Sequence, residues 1–253
     1  MIKKFFGKIF MMKKKQFLLL MTLFTLNLVS FPLYSQNNLP PQTTYRIESV
    51  FQVNIESAIG PAIYDYLRTS MEHIEKVNGK NPNHALLIKM STPGGLVSTT
   101  KQILNLMGET SFPVIVWIGP QGSSATSAGA IISAGAHYIY MSEGTNIGAA
   151  TPIGLGGDLA PSKNNKENEK DKESKSSDSD VRSKAINDLV ALTKSLAESK
   201  GRNPEAFGMM ITQATSLTAK EALKKNVING MANEISDIWP QLMKTSLTIK
   251  HQT

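Results

Sequence analysis

The chain has 253 residues, with 27 basic and 20 acidic side chains, a formal net charge of +7 and no cysteine. Residues 1–16 contain six of the lysines and no acid, and the rest of the chain carries 21 bases and 20 acids. A nearly neutral body does not support a nucleic-acid-binding domain, which depends on basic groups for affinity. The lack of cysteine excludes disulfides, thiolate metal sites, a cysteine nucleophile and a lipid-modified cysteine.

The amino-terminal segment has the pattern of an export signal. After the lysines, residues 17–34 are mostly apolar, and no charge occurs between Lys15 and Arg46. This pattern is typical of a secretory signal peptide or of an uncleaved membrane anchor. Its length of about 18 residues does not separate the two. We predict a signal or anchor over 1–35, a spacer over 36–45, and an exported chain that is periplasmic, extracytoplasmic or anchored to the membrane. Met11 and Met12 are alternative start sites to Met1.

Strand and helix patterns alternate along the body. Partial alternation or short apolar runs predict strands. They lie at 47–55, 85–90, 113–118 and 138–141. Three-four apolar spacing, capping residues and first-position prolines predict helices. They lie at 61–77, 97–107, 123–136 and 184–200, and begin again at 204 and 218. Such alternation predicts an α/β fold with a parallel sheet and flanking helices.

One long segment lacks the composition needed for a core. Residues 162–180 contain five lysines and six acids and no apolar side chain. We predict a disordered polar loop there, of the kind that is usually functional or a linker. The folded domain is predicted over 46–240, with Pro240 breaking a last helical piece and a tail over 241–253.

Two loops after predicted strands could carry chemistry. The first is 91–95 (STPGG), where paired glycines let backbone N–H groups face a cleft. The second is 122–129 (GSSATSAG), where Ser127 would lie near a helix N-terminus that favours developing negative charge. Open α/β sheets place their sites at the carboxyl ends of strands. The two loops therefore offer a hydroxyl nucleophile and N–H donors for an oxyanion.

The other common types of site are not indicated. The four histidines are His73, His84, His137 and His251, and none has metal-ligand spacing with another histidine or a carboxylate. The G-x-S-x-G and phosphate-loop patterns are also absent from the sequence. We therefore expect no metal and no cofactor.

The ordered set of motifs resembles a known family. STPGG after one strand and A-x-S-A-G after the next are similar to the Clp-class serine peptidases. The resemblance is strongest to the NfeD-type membrane-associated serine proteases, which are encoded beside stomatin-like proteins. Further matching segments run through the body. They are 146–149 (NIGA), 184–187 (KAIN), 194–197 (KSLA), 201–203 (GRN) and 217–223 (LTAKEAL).

The resemblance implies a Clp protease/crotonase-like fold and a Ser–Lys dyad. It maps the nucleophile to Ser127 and the oxyanion hole to Gly94, Gly95 and the N–H of Ala128. The base maps to Lys184, which heads the helix after a flexible loop in this family, with Arg182 and Lys194 as nearby rivals. The Clp histidine has no counterpart here, because His137 is too close to the serine.

The resemblance also implies a function. It is that of a serine endopeptidase, a homo-oligomer that cleaves apolar segments of a stomatin-like or other membrane protein. Two alternatives remain open from the residues. One is a catalytically inactive scaffold of a membrane complex, which the long polar segment favours. The other is a crotonase-like acyl-CoA enzyme, which an exported location disfavours.

Overall fold

The computed structural model describes residues 43–45, 47–79, 83–152, 172–242 and 247–249. The chain separates into two units, Met1–Pro41 and Gln42–Thr253. The predicted signal or anchor falls outside the described residues, and so does 162–171 of the predicted polar loop.

Short strands and helices alternate along the described chain. The strands are β1 (Thr43–Tyr45), β2 (Ser49–Ile55), β3 (His84–Met90), β4 (Val114–Ile118), β5 (Ser124–Thr126), β6 (Tyr138–Met141), β7 (Asn146–Gly148), β8 (Ser216–Thr218), β9 (Gly230–Met231) and β10 (Leu247–Ile249). The helices are α1 (Pro61–Asn78), α2 (Val97–Gly108), α3 (Ala128–Gly135), α4 (Lys172–Ser199), α5 (Pro204–Thr212), α6 (Ala219–Lys224) and α7 (Trp239–Leu242). A 3₁₀ turn, Ile235–Ile238, precedes α7.

The main sheet is parallel throughout. Its order is β2-β3-β4-β6-β9, and each pair of neighbours runs in the same direction. Every residue of β4 is buried, as expected for a central strand covered on both faces. This arrangement confirms the predicted α/β class. The carboxyl ends of β3, β4 and β6 meet at one edge of the sheet.

Helices bury their apolar stripes against this sheet. In α1, Leu67, Met71 and Ile74 are fully or nearly fully buried, in line with their three-four spacing. The helix begins at Pro61, where the missing N–H is no loss because the first turn has no intrahelical acceptors. Helix α6 begins where capping residues predicted it, since Thr218 and Glu221 cap each other in a reciprocal capping box.

A small second sheet stands beside the main one and differs from the prediction. Its order is β5-β7-β8, and β5 occupies the start of the segment 123–136 that was predicted to be entirely helical. Only Ala128–Gly135 is helical. The reason is that β5 is held by pairing with β7 and with Thr92, partners that are distant in sequence.

The expectation of a loop up to residue 180 is wrong for residues 172–180, which belong to α4. A periodicity argument detects helices that bury an apolar stripe, whereas Lys and Glu favour helix without one. Lys184 consequently lies about three turns inside α4, and not at its head as expected.

The predicted spacer and tail also contribute structure. β1 lies within the spacer 36–45, and it pairs antiparallel with β10 from the tail 241–253. Helix α7 begins at Trp239 and contains Pro240 at its second position, where proline is tolerated, so Pro240 does not break a helix here. The predicted boundary at 240 therefore cuts through α7.

Candidate active site

The predicted glycine turn and serine loop lie against each other. A parallel bridge joins Thr92, just after β3, to Ala125 in the middle of β5. In that bridge the N–H of Thr92 donates to Ser124 O at 2.7 Å, and the N–H of Thr126 donates to Thr92 O at 3.1 Å. The two loops are thus joined two residues before Gly94 and two residues before Ser127.

Ser127 has an unusual backbone conformation. Its φ is +53° and its ψ is −114°, at the N-cap of α3. A non-glycine residue at positive φ costs about 1–3 kcal/mol and persists only where its surroundings hold it. Here the N–H of Ser127 donates to Gly148 O at 2.9 Å, and its carbonyl accepts from Ala130 N–H at 3.1 Å. Among the described residues its hydroxyl caps no helix N–H, which leaves Oγ available in a half-buried position.

Both glycines of the turn are required by close approach. A methyl group on Gly94 would lie 2.6 Å from Ser127 Cβ and 3.1 Å from its Oγ. One on Gly95 would lie 2.1 Å from Ile59 O. Gly94 also has a φ of +118°, a value that residues other than glycine rarely adopt. Because neither glycine has a side chain, the turn can pack closely against Ser127 and Ile59.

The hydrogen bonds of the turn distinguish its two N–H groups. The Gly94 N–H donates to Thr92 Oγ1 at 3.2 Å, whereas Gly94 O accepts from Ile59 N–H at 2.7 Å. The C=O and N–H of one trans peptide point in opposite directions. The Gly95 N–H therefore points away from Ile59, and Gly95 itself is exposed. The buried Ala128 supplies the first N–H of α3, a group that has no partner within its helix.

Lys184 is not joined to Ser127. Its side chain is exposed on α4 and makes no hydrogen bond or ion pair with the part of the chain that the structure describes. Helix α4 packs against α3 and α5 through its opposite face, where Leu189, Thr193 and Ala197 are buried. Lys194, the rival lysine further along α4, forms an ion pair with Glu205 at 2.6 Å.

The far end of the serine helix is held by a buried arginine whose role the sequence did not reveal. Arg202 is 4% exposed. Its guanidinium donates to the carbonyl oxygens of Ala134, Ala136 and His137 at 3.3, 2.9 and 2.9 Å. Burial lowers the pKa of Arg202 to about 10. A cation at a helix C-terminus is favourable, so Arg202 fixes the end of α3 opposite Ser127.

His137 belongs to this same buried cluster and not to the serine. Its Nδ1 accepts the Val114 N–H at 3.1 Å, which requires the neutral ring with its proton on Nε2. Burial, then the charges of Lys200 and Arg202, lower its pKa to about 3. His137 therefore has a structural role, because its neutral ring is bonded to the backbone and not to Ser127. Among the described residues, no group of three or more His, Asp or Glu side chains could hold a metal ion.

These features define a class of protein, a Clp/crotonase-like α/β fold with a strained serine at a helix N-terminus and a glycine turn against it. Residues 49–251 match the family model described as NfeD1b, N-terminal domain. The chain belongs to this family, and the predicted resemblance is confirmed.

Curated relatives agree with this family. The chain is 33% identical over 202 residues to the membrane-bound protease PH1510 of Pyrococcus horikoshii, covering 79% of this chain and 41% of that protein. It is 27% identical over 116 residues to the membrane protein NfeD1b of Bacillus subtilis, covering 46% of this chain and 25% of the relative. The chain thus spans less than half the length of these relatives.

Solved structures confirm the fold. One is a lysine-to-alanine mutant of the 1510-N membrane-bound stomatin-specific protease in complex with a substrate peptide. Its TM-score is 0.61 at 31% identity, covering 79% of this chain and 81% of that one. A serine-to-alanine mutant of the protease gives a TM-score of 0.60 at 31% identity, covering 79% and 86%. Within the described ranges, no helix combines the length and apolar character needed to cross a bilayer.

Proposed function

We propose that this chain is a serine endopeptidase with a Ser–Lys dyad. The Ser127 Oγ attacks the scissile carbonyl, the Lys184 amine takes the serine proton, and backbone N–H groups stabilise the oxyanion. The observation that carries this proposal is the contact between Gly94 and Ser127. That contact places a strained serine directly against a glycine turn.

The donors of the proposed oxyanion hole have unequal roles. The N–H groups of Gly95 and Ala128 are the two donors, since Gly95 follows the glycine that lies against Ser127 and Ala128 follows Ser127 itself. Gly94 was expected as a third member of the hole, but its N–H is bonded to Thr92 Oγ1. Its contribution in this proposal is the absence of a side chain, which allows the turn to approach.

The base of the dyad requires cover, and the described part of this chain leaves Lys184 exposed. A lysine amine accepts a proton only in its neutral form, and removal from water favours that form. Lys184 is exposed on α4. We therefore propose that a bound apolar substrate or a second subunit covers this part of α4, which fits a homo-oligomeric enzyme.

The names of the relatives support a proposal for the substrate and the location. A protease with 31% identity is named as stomatin-specific, and the curated relative is named as membrane-bound. We propose that this chain cleaves apolar segments of a stomatin-like or other membrane protein, and that it is exported or anchored through its amino-terminal segment.

A fluorophosphonate probe and an apolar peptide test the dyad on the full chain in its membrane fraction. We expect the probe to label Ser127, as mapped by mass spectrometry, and the peptide to be cleaved. Ser127→Ala should lose both signals. Lys184→Ala should lower kcat by about 10²–10⁴-fold, the usual contribution of a general base.

Lys194→Ala is the matched control, because it removes another lysine of α4 that is paired with Glu205. It should leave kcat within about twofold of the wild type, as expected for an exposed ion pair. Cleavage that survives in both Ser127→Ala and Lys184→Ala would contradict the dyad.

The exposed position of Lys184 favours one competing function, that of an inactive scaffold in a membrane complex. Peptide binding without cleavage or serine labelling by the wild type would support the scaffold instead of the protease.

A further inference from the structure

Thr92 joins the three parts of the site, although no step of the proposed reaction uses it. Its side chain is 1% exposed. Its backbone makes both bonds of the bridge around Ala125, two residues before Ser127. Its Cγ2 methyl lies 2.6 Å from the position that a Cβ on Gly129 would take, in the first turn of the serine helix. Thr92 therefore contacts the strand and the helix on either side of Ser127.

The hydroxyl of Thr92 extends these contacts to the glycine turn. Oγ1 lies 2.7 Å from Ser57 O, 3.2 Å from Gly94 N and 3.4 Å from Gly94 O. A hydroxyl has one proton, and the shortest contact indicates that this proton goes to Ser57 O. A lone pair of Oγ1 then accepts the Gly94 N–H.

The bond to Gly94 controls the next peptide. It occupies the Gly94 N–H and helps to hold Gly94 at a φ of +118°. On the other side of the same residue, Ile59 N–H holds Gly94 O. Together the two bonds fix the plane that carries the Gly95 N–H, the group assigned to the oxyanion. A change in either bond would let this plane rotate.

We propose that Thr92 is a positioning residue whose hydroxyl sets the direction of the Gly95 N–H relative to Ser127. This inference rests on the proposed peptidase function. Thr92 does not touch the substrate or the reacting atoms, and it acts through the orientation of one peptide unit. It thereby couples the alignment of the oxyanion donor to the same bridge that places the nucleophile.

Thr92→Val and Thr92→Ser separate the hydroxyl from the methyl. Valine keeps the shape of the side chain and removes the hydroxyl, whereas serine keeps the hydroxyl and removes the methyl. We expect Thr92→Val to lower kcat by roughly 10–100-fold with KM within about twofold, because a donor displaced by about 1 Å loses transition-state stabilisation. Thr92→Ser should stay within about threefold of the wild-type kcat.

An inhibitor pair supplies a readout that loss of stability alone would not change. A peptide aldehyde forms a hemiacetal with Ser127 and needs the oxyanion hole, whereas the matching peptide alcohol does not. Thr92→Val should weaken binding of the aldehyde by the same factor by which it lowers kcat, and it should leave binding of the alcohol unchanged. The control is Thr193→Val. This residue is also 1% exposed, and its hydroxyl donates to Leu189 O at 2.7 Å, away from the serine.

The outcomes distinguish the inference from the proposed function. Wild-type kcat in Thr92→Val, or an equal loss for aldehyde and alcohol, would overturn the positioning role. If the wild type cleaves no peptide, the protease proposal fails. The role of Thr92 is then judged by hydrogen exchange of the Gly94 amide, which should be faster in Thr92→Val and unchanged in Thr92→Ser. Equal exchange in all three proteins would also overturn it.

Discussion

At the scale of single residues, Ser127 combines a reactive group with an unfavourable backbone. Its positive φ is held by the bond from its N–H to Gly148 O and by the start of α3. Side chains rarely adopt this conformation, whereas glycine adopts it readily. The surrounding structure therefore holds Ser127 in a conformation that lowers the stability of the folded state. The size of this effect can be measured with substitutions that differ in their tolerance of positive φ.

We expect Ser127→Gly to be more stable than Ser127→Ala by about 1 kcal/mol, because glycine relieves the strain at positive φ. This reverses the usual order, in which glycine is less stable than alanine by about 0.5–1 kcal/mol. Urea unfolding of the two variants measures the difference. The control pair is Ser133→Gly and Ser133→Ala in the same helix, where the usual order should hold. The usual order at both positions would show that Ser127 carries no strain.

A second residue, His137, should make the folded state sensitive to acid. Its pKa is about 3 in the folded chain and about 6.5 when unfolded. The unfolded state therefore binds the proton first, and stability is lost as the pH falls from about 6.5 towards 3, by up to about 1.4 kcal/mol per pH unit. His137→Asn should flatten this part of the curve in urea unfolding. Exposed His73→Asn is the control, and equal slopes in all three proteins would contradict the assignment.

At the scale of elements, α3 is held by contacts at both of its ends. Arg202 binds the carbonyls at its C-terminus, and Thr92 packs on its first turn next to Gly129. Ser133 also bonds back to Gly129 O at 2.7 Å. A helix held at both ends keeps its first residue in register with the glycine turn, so small changes in its packing should reach Ser127.

Gly129→Ala tests this packing. The new methyl would lie 2.6 Å from Thr92 Cγ2, and such overpacking costs about 1–3 kcal/mol. We expect a loss of stability in urea unfolding together with slower labelling of Ser127 by the fluorophosphonate. The control is Gly108→Ala at the end of α2, where nothing lies within 4 Å of the new methyl. A neutral or stabilising effect at Gly129 would contradict the close contact.

The elements also show what the sequence can predict. Buried strands such as β3 and β4 and the stripe of α1 follow from local apolar patterns, and the paired glycines and Ser127 follow from motifs. The polar start of α4 could not be predicted because no apolar face marks it. The short β5, the pairing of β1 with β10, and the contacts of Thr92 and Arg202 depend on partners distant in sequence. Only the resemblance at 201–203 hinted at Arg202, without its role.

At the scale of the whole molecule, the charge is concentrated at one end. The net charge of +7 resides almost entirely in residues 1–16, and the rest of the chain is nearly neutral. An uncharged apolar stretch follows, and the curated relative is named as membrane-bound. This distribution supports an export signal or anchor in place of a general affinity for polyanions.

Reporter fusions test the direction of export. We expect alkaline phosphatase fused after Thr253 to be active, because that enzyme needs an oxidising compartment to form its disulfides. Mass spectrometry of the mature amino terminus then distinguishes a cleaved signal from a retained anchor. A fusion in which residues 1–35 are deleted is the control and should be inactive. Activity in the deletion, or none in the full chain, would contradict export.

The bond from Ser127 N–H to Gly148 O sets a limit on timing during synthesis. Gly148 is itself held in β7 by pairing with Ser216 in β8. A strained serine therefore receives its full support only after the ribosome has made residues beyond 218, some ninety positions after the nucleophile. Until then the nascent chain lacks an assembled site. If the chain is exported during synthesis, as proposed, the site is completed only after the serine has left the cytoplasm.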